Sequence, residues 1–215
     1  MYNEADIINK IQSGDINAFR EIVDEYKDKA FSLTVKILKN RAEAEDSLQE
    51  AFIKLYKAIS DKQFKSESKL STYFFSIVYN TAVDSYRKYT SKQFNITSID
   101  VTDSSYKEGD ELVKNFRESD IDTLLYARGK ESTDSTVIKS EIQKIIEKYI
   151  RVIPEHYSII LNMFYVNDLS HNEISDILKL PLGTVKNRIF RAKEKLREIL
   201  LKKFPAAELM EYSQN

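Results

Sequence analysis

Residues 169–200 read LSHNEISDILKLPLGTVKNRIFRAKEKLREIL, a stretch that encodes two helices with only a tight turn between them. Ser170-His171-Asn172-Glu173 is a capping box: the Ser170 hydroxyl can accept from the N–H of Glu173, and the Glu173 side chain can reach back. A helix therefore starts at Ser170, turns Ile174, Ile177 and Leu178 inward, and ends near Lys179. A second helix begins around Pro181 to Thr184, because proline in a first turn gives up an N–H that has no helical partner. A short helix, a tight turn and a longer basic helix form the arrangement whose second helix enters the major groove of DNA.

In that second helix Val185, Ile189, Ala192, Leu196 and Leu200 make the buried stripe, which leaves Lys186, Asn187, Arg188, Phe190 and Arg191 to other faces. They sit toward the helix N-terminus, the half that meets base edges. There a cationic side chain pairs with guanine, Asn with adenine, and Phe touches a thymine methyl. Lys193, Lys195, Arg197, Lys202 and Lys203 are better placed for phosphates. A basic helix face is often only solvated; the capped helix and short turn before this one favour DNA.

Composition agrees with helices throughout. The 215 residues include only four glycines and three prolines, with 42% hydrophobic and 31% charged, so the fold class expected is all-α. No cysteine and two separated histidines exclude a disulfide scaffold and thiolate chemistry and leave little for a metal. The first seventeen residues lack the basic start and apolar run of a signal peptide, and no run of about 18–20 apolar residues suits a membrane span. A cytoplasmic protein without membrane insertion is expected.

The net charge of -1 hides a segregation. Residues 54–92 hold eight Lys or Arg against three acids, 183–203 hold eight against two, and the intervening 98–136 hold ten acids against five bases. Two basic blocks flanking an acidic one indicate polyanionic partners better than the sum does.

Working toward the N-terminus, Ile138, Ile142, Ile145, Ile146 and Tyr149 form one helix, and after Pro154 a second carries Tyr157, Ile160, Leu161 and Phe164 inward. With the helix-turn-helix they make a domain over 137–204, followed by a tail, 205–215. Residues 93–136 read as a long acidic linker. Before it, 1–92 form another helical domain. Ile7, Ile8 and Ile11 open a short helix broken by Gly14, and Asp15 caps the next. Phe19, Ile22, Val23, Tyr26, Ala30, Leu33 and Ile37, then Ala44, Leu48, Ala51, Phe52, Leu55 and Ile59, are the stripes of two long helices. A third, roughly Ser71 to Lys88, buries Phe74, Ile77 and Val78 after a polar loop from Asp61 to Lys69.

On and around the third helix, Tyr73, Phe75, Tyr79, Tyr86 and Tyr89 lie among Lys62, Lys65, Lys69, Arg87 and Lys88. Rings among cations suit single-stranded DNA, where bases stack and phosphates find the charges. Core packing is the default explanation for any one ring. On the second long helix, Glu45, Asp46, Gln49 and Glu50 make an acidic surface beside Phe52. No nucleophile with a base, phosphate-cradling glycine loop or supported carboxylate pair is present, so no catalytic residue, cofactor or small-molecule substrate is expected. His156 and His171 read as a helix-start and a cap residue.

Ala44-Glu45-Asp46 followed by Leu48-Gln49-Glu50-Ala51-Phe52, Phe74 through Asn80 with Asp84 and Arg87, and Leu169-Ser170 through Gly183-Thr184-Val185-Lys186-Asn187-Arg188 to Arg191-Ala192-Lys193 resemble sigma-70 factors of the extracytoplasmic function (ECF) subfamily. The resemblance implies that the first domain is similar to sigma region 2. Asp46, Gln49, Glu50 and Phe52 would dock on the clamp of core RNA polymerase; Lys69, Tyr73, Asn80, Asp84, Arg87 and Lys88 would melt and read the -10 element. The second domain resembles region 4, with Thr184, Lys186, Asn187, Arg188, Phe190 and Arg191 reading the duplex -35 element. An anti-sigma factor is a further partner implied by the family. Tyr73 stands where the family usually has Trp, and Pro181 where a Ser often caps the recognition helix.

Two other readings stay open on residues alone. A duplex-binding helix-turn-helix regulator would share the stretch LSHNEI through GTVKNR, but would not need the aromatic third helix or AEDSLQEAF. A helical adaptor with no DNA role would show no steep salt dependence on DNA.

Overall fold

The structure is a computed structural model, and it describes residues 4–65, 67–90 and 153–203. The acidic linker expected over 93–136, the helix expected from Ile138 to Tyr149 and the tail 205–215 lie outside the described residues. Every regular element among the described residues is helical. The chain divides into two compact units, 1–94 with 172–179, and 95–171 with 180–215.

In the first unit, α1 (Glu4–Gln12), α2 (Ile16–Leu38), α3 (Arg41–Ser60) and α4 (Leu70–Thr90) follow one another with short breaks. Each break has a local cause. Gly14 takes φ +96°, a left-handed turn that costs other residues dearly, and the Asp15 carboxylate then accepts from the N–H of Asn17 at 2.9 Å. Lys39, at φ 57°, ends α2 by donating its N–H to the Val35 carbonyl at 2.9 Å. The next residue, Asn40, caps α3 by accepting from the N–H groups of Ala42 (3.0 Å) and Glu43 (3.3 Å). Two residues thus join two long helices as a hairpin. The loop before α4 folds back through the N–H groups of Gln63 and Phe64 onto the Ala58 carbonyl at 2.9 and 3.0 Å, burying Phe64. Glu4, from α1, accepts from the first N–H of α4, on Leu70, at 3.1 Å. Nothing in the local sequence around Leu70 announces that cap.

The stripes expected from sequence meet in one core. Ile22, Tyr26, Ala30, Leu33 and Ile37 of α2 are buried with Ala44, Ala51, Leu55 and Ile59 of α3 and Phe74 and Val78 of α4. Phe19, Val23, Leu48, Phe52 and Ile77 are half-buried at its edge. Phe74 is fully buried, its ring centroid 4.8 Å from Phe52 in a stacked pair and 5.7 Å from both Tyr26 and Phe75. Phe75, grouped above with the rings suited to base stacking, is also fully buried, edge-on to Tyr26 with ring centroids 6.1 Å apart. Two successive aromatics point about 100° apart on a helix, and both rings meet Tyr26 of α2.

Residues 172–179, expected in the second domain, belong by contact to the first unit. They are most of α6 (His171–Leu178), whose Glu173 carboxylate accepts from the Thr72 hydroxyl at 2.8 Å and pairs with the Lys69 ammonium at 3.3 Å.

The second unit contains α5 (Glu155–Leu161), a π-turn (Asn162–Val166) and α7 (Leu182–Lys203), with α5 packed on α7. The π-turn closes through the N–H of Asn167 to the Asn162 carbonyl at 3.1 Å. Because it inserts one residue into the 3.6-residue repeat, Met163 and Tyr165 become buried and Phe164, expected inside, is left half-exposed. The α7 stripe is as expected: Val185, Ile189, Ala192, Leu196 and Leu200 are all buried.

Phe74→Ala is expected to lower the unfolding free energy by about 3–5 kcal/mol, the range for deleting a buried ring, and Asn40→Ala by about 1 kcal/mol. Urea titration followed by far-UV circular dichroism checks both.

Candidate nucleic-acid interface

Lys179 to Pro181 connect α6 to α7, and Lys179 takes φ 55°, the left-handed conformation that ends a helix. The Pro181 carbonyl starts α7 by accepting from the N–H groups of Thr184 (2.9 Å) and Val185 (3.1 Å). A proline thus does the work of a cap with its backbone oxygen. Beyond it, Lys186, Asn187 and Phe190 are exposed, Phe190 by 41%, and Thr184 and Arg191 are half-buried. At about 100° per residue, Asn187, Phe190 and Arg191 share one outward face with Gly183. Nothing lies within 4 Å of where a Gly183 side chain would begin, so this face is open to close approach.

Arg188 and Lys193 depart from expectation. Arg188, assigned by resemblance to base reading, is only 8% exposed, and Lys193, assigned to phosphates, only 9%. The physical reason is helical phase: both flank the apolar stripe of Val185, Ile189, Ala192 and Leu196, so their stems pack with it. Arg188 lies close enough to His156 for its charge to oppose protonation of that imidazole. Burial is the larger cause, and together they push the His156 pKa down to about 4. The His156 Nε2 is buried without a hydrogen-bond partner. His171, beside the Phe164 ring at 4.8 Å, is also lowered, first by burial and then by Lys186 and Lys193.

Of the pairs on the lower half of α7, Lys195 meets Glu198 at 3.2 Å and Arg197 meets Glu194 at 3.7 Å. The Lys195–Glu198 pair is exposed and of a kind worth roughly 0–1 kcal/mol, whereas Arg197 and Glu194 are mostly buried.

On α4, Tyr73, Asn80, Asp84, Arg87 and Lys88 fall on one face, opposite Phe75, Val78 and Ala82. Asn80, Asp84, Arg87 and Lys88 are exposed; Tyr73 is half-buried, tilted against Phe64 at 5.0 Å. The stripe runs about 21 Å from Tyr73 to Arg87 at 1.5 Å per residue. Asp84 and Arg87 form a long ion pair of 3.7 Å with both side chains more than half exposed. Lys69 stands just before the helix in its pair with Glu173.

On α3, Asp46, Gln49 and Glu50 are exposed along the side away from the core, while Phe52 is half-buried between Phe74 and Phe19, the latter edge-on at 6.2 Å. Glu50 accepts from Lys54 at 2.8 Å. That hydrogen bond holds its carboxyl below the usual carboxylate range, against a weaker upward push from burial and with help from Lys88. Lys54 also donates to the Thr81 hydroxyl at 3.1 Å, which ties this surface to α4. Ile53, 55% exposed beside these residues, was not singled out by the sequence; a lone Ile outside the apolar stripe was its only signal. Among the described residues no group of three or more His, Asp or Glu side chains is arranged to hold a metal. No helix among them is long and apolar enough to cross a membrane.

Residues 22–92 match the family described as Sigma-70 region 2, and 143–196 match Sigma-70, region 4. The ECF RNA polymerase sigma factor SigW of Bacillus subtilis is 33% identical over 90% of this chain and 94% of its own length. The RNA polymerase sigma-H factor of Pseudomonas aeruginosa is 30% identical over 90% and 92% respectively. Among solved structures, CnrH in complex with the cytosolic domain of CnrY is similar with a TM-score of 0.54 at 15% identity, over 92% of this chain and 97% of that one, a likeness of fold.

His156 supplies a pH test. Its folded pKa of about 4 lies below the ordinary value of 6.5, so the unfolded chain binds a proton that the folded chain refuses. Its contribution is complete above pH 6.5 and is lost as the pH falls toward 4. The melting temperature is expected to fall across that window, and His156→Gln to flatten the fall, read by circular dichroism melts at half-unit pH steps.

Proposed function

We propose a division of labour for this chain, which belongs to the extracytoplasmic function subfamily of sigma-70 factors and directs promoter-specific transcription initiation by RNA polymerase. Matches to both region 2 and region 4 disfavour a duplex-binding regulator acting without polymerase. The observation that carries the residue-level reading is that each unit presents a polar stripe opposite its own core: Asn80, Asp84, Arg87 and Lys88 on α4, and Lys186, Asn187, Phe190 and Arg191 on α7.

The α7 stripe reads the duplex -35 element. Asn187 can hold an adenine edge through two hydrogen bonds, Phe190 can cover a thymine methyl, and Arg191 can take guanine or a phosphate. Arg188 serves this surface from beneath, as part of the α7 packing. The α4 stripe holds the melted -10 element. Its cations meet phosphates, Asn80 and Asp84 hydrogen-bond an unpaired base, and Tyr73 offers a ring edge for stacking. Lys69 joins them when it exchanges Glu173 for a phosphate. Core polymerase docks on α3 through Asp46, Gln49 and Glu50. The chain then contributes no catalysis of its own, works in the cytoplasm, and is a target for an anti-sigma protein.

The test is transcription in vitro with core polymerase from a related bacterium, genomic fragments and mapped start sites. New starts that share two upstream elements support the reading. Asn187→Ala and Phe190→Ala are expected to cost about 1–3 kcal/mol each at promoters that depend on the -35 sequence, about 5- to 150-fold. Asn80→Ala should instead reduce open-complex formation, read by permanganate footprinting, on promoters with an intact -35 element. No new starts and no binding to core would overturn it.

A further inference from the structure

The outward face of α3 has an apolar side chain at its centre. At about 100° per residue, Asp46, Gln49, Glu50, Ile53 and Lys57 all point within a narrow sector of the helix away from the core. Ile53 lies in the middle of it, one or two turns from each polar neighbour, and is 55% exposed. Tyr56, one turn further on, flanks it half-buried with its ring 5.2 Å from Phe19. A single exposed isoleucine is ordinary on a protein surface; its surroundings are what distinguish this one. Glu50 is already tied to Lys54 at 2.8 Å, and Arg41 to Glu45 at 2.9 Å, so the polar rim is partly ordered before any partner arrives. An apolar centre inside a polar rim that excludes water is the arrangement of an interface hot spot.

Phe52, the apolar member of the docking set assigned by resemblance, cannot fill that role. Its ring is stacked at 4.8 Å on the fully buried Phe74 and lies edge-on to Phe19, so withdrawing it would open the core. A docking face built on Asp46, Gln49 and Glu50 without Ile53 would have no freely exposed apolar group.

We propose that Ile53 is the apolar anchor of the contact with core RNA polymerase, seated in an apolar pocket whose rim carries the hydrogen-bonding and cationic groups that Asp46, Gln49 and Glu50 require. The inference rests on the reading of α3 as the polymerase-docking helix and adds the residue that gives the contact its lifetime. The rim charges govern encounter and salt dependence, and the buried anchor governs dissociation.

The experiment measures association and dissociation rates of the full chain with core polymerase at two salt concentrations. Ile53→Ala is expected to weaken binding about 10- to 100-fold, mainly through faster dissociation, with an unchanged salt slope and an unchanged melting temperature. Ile53→Met should restore most of the affinity. Phe52→Ala should lower the melting temperature instead. Wild-type affinity in both Ile53→Ala and Ile53→Asp, with Gln49→Ala or Glu50→Ala weakened, would overturn the anchor while leaving the docking helix in place. Failure of the unaltered chain to bind core at all would overturn both.

Discussion

The stacking of Phe52 on Phe74 at 4.8 Å is the contact on which the first unit depends. Phe74 stands on α4, Phe52 on α3 and Tyr26 on α2, so one ring cluster joins the three long helices. Burying such a ring is worth about 1.5–3 kcal/mol, and aromatic pairs add about 0.5–1.5 kcal/mol beyond area. Once the three helices are locked there, their rotation about their own axes is fixed. Each outward stripe follows: Asn80 to Lys88 on α4, and Asp46 to Ile53 on α3. Function in this unit is what the core leaves facing out.

The second unit works by the same rule with aliphatic residues. Val185, Ile189, Ala192, Leu196 and Leu200 fix the rotation of α7, and the face left over carries Asn187, Phe190 and Arg191. The cost of this economy falls on residues at the edge of the stripe. Arg188 and Lys193 carry charged heads yet are drawn into the packing, and one terminal nitrogen of Arg188 is itself buried. Burial, with help from the nearby Arg188 charge, keeps the His156 imidazole neutral at ordinary pH. Packing and electrostatics on α7 are therefore linked at one side chain.

Surface ion pairs contribute little to stability. Glu50 with Lys54 and Asp84 with Arg87 involve exposed partners, and each pair is worth little on its own in water; Lys69 with Glu173 joins an exposed ammonium to a mostly buried carboxylate. They hold long side chains along the outward faces of the helices.

Much was legible in the sequence by itself, because periodicity and capping are local. The three- and four-residue spacing of apolar residues defined α2, α3, α4 and α7. Gly14, Asp15 and Asn40 marked their ends, and Ser170 through Thr184 placed the helix-turn-helix. Asn187 and Phe190 were legible as outward because they fall off the α7 stripe, whereas Asn80 came from the family resemblance and Arg87 from that and from the cations among the rings. What only the tertiary structure decided concerns residues whose fate depends on something distant or on phase. Phe75 is core because its ring packs against Tyr26 of α2 and Phe74, and Phe164 is half-exposed because a π-turn shifts the register by one residue. Arg188 is buried because it borders the stripe, and Glu4 caps a helix 66 residues away. Ile53 stands exposed where Phe52 is drawn in. Apolar spacing specifies which face of a helix is buried, but how far burial extends around its edges is set by the shape of what packs against it.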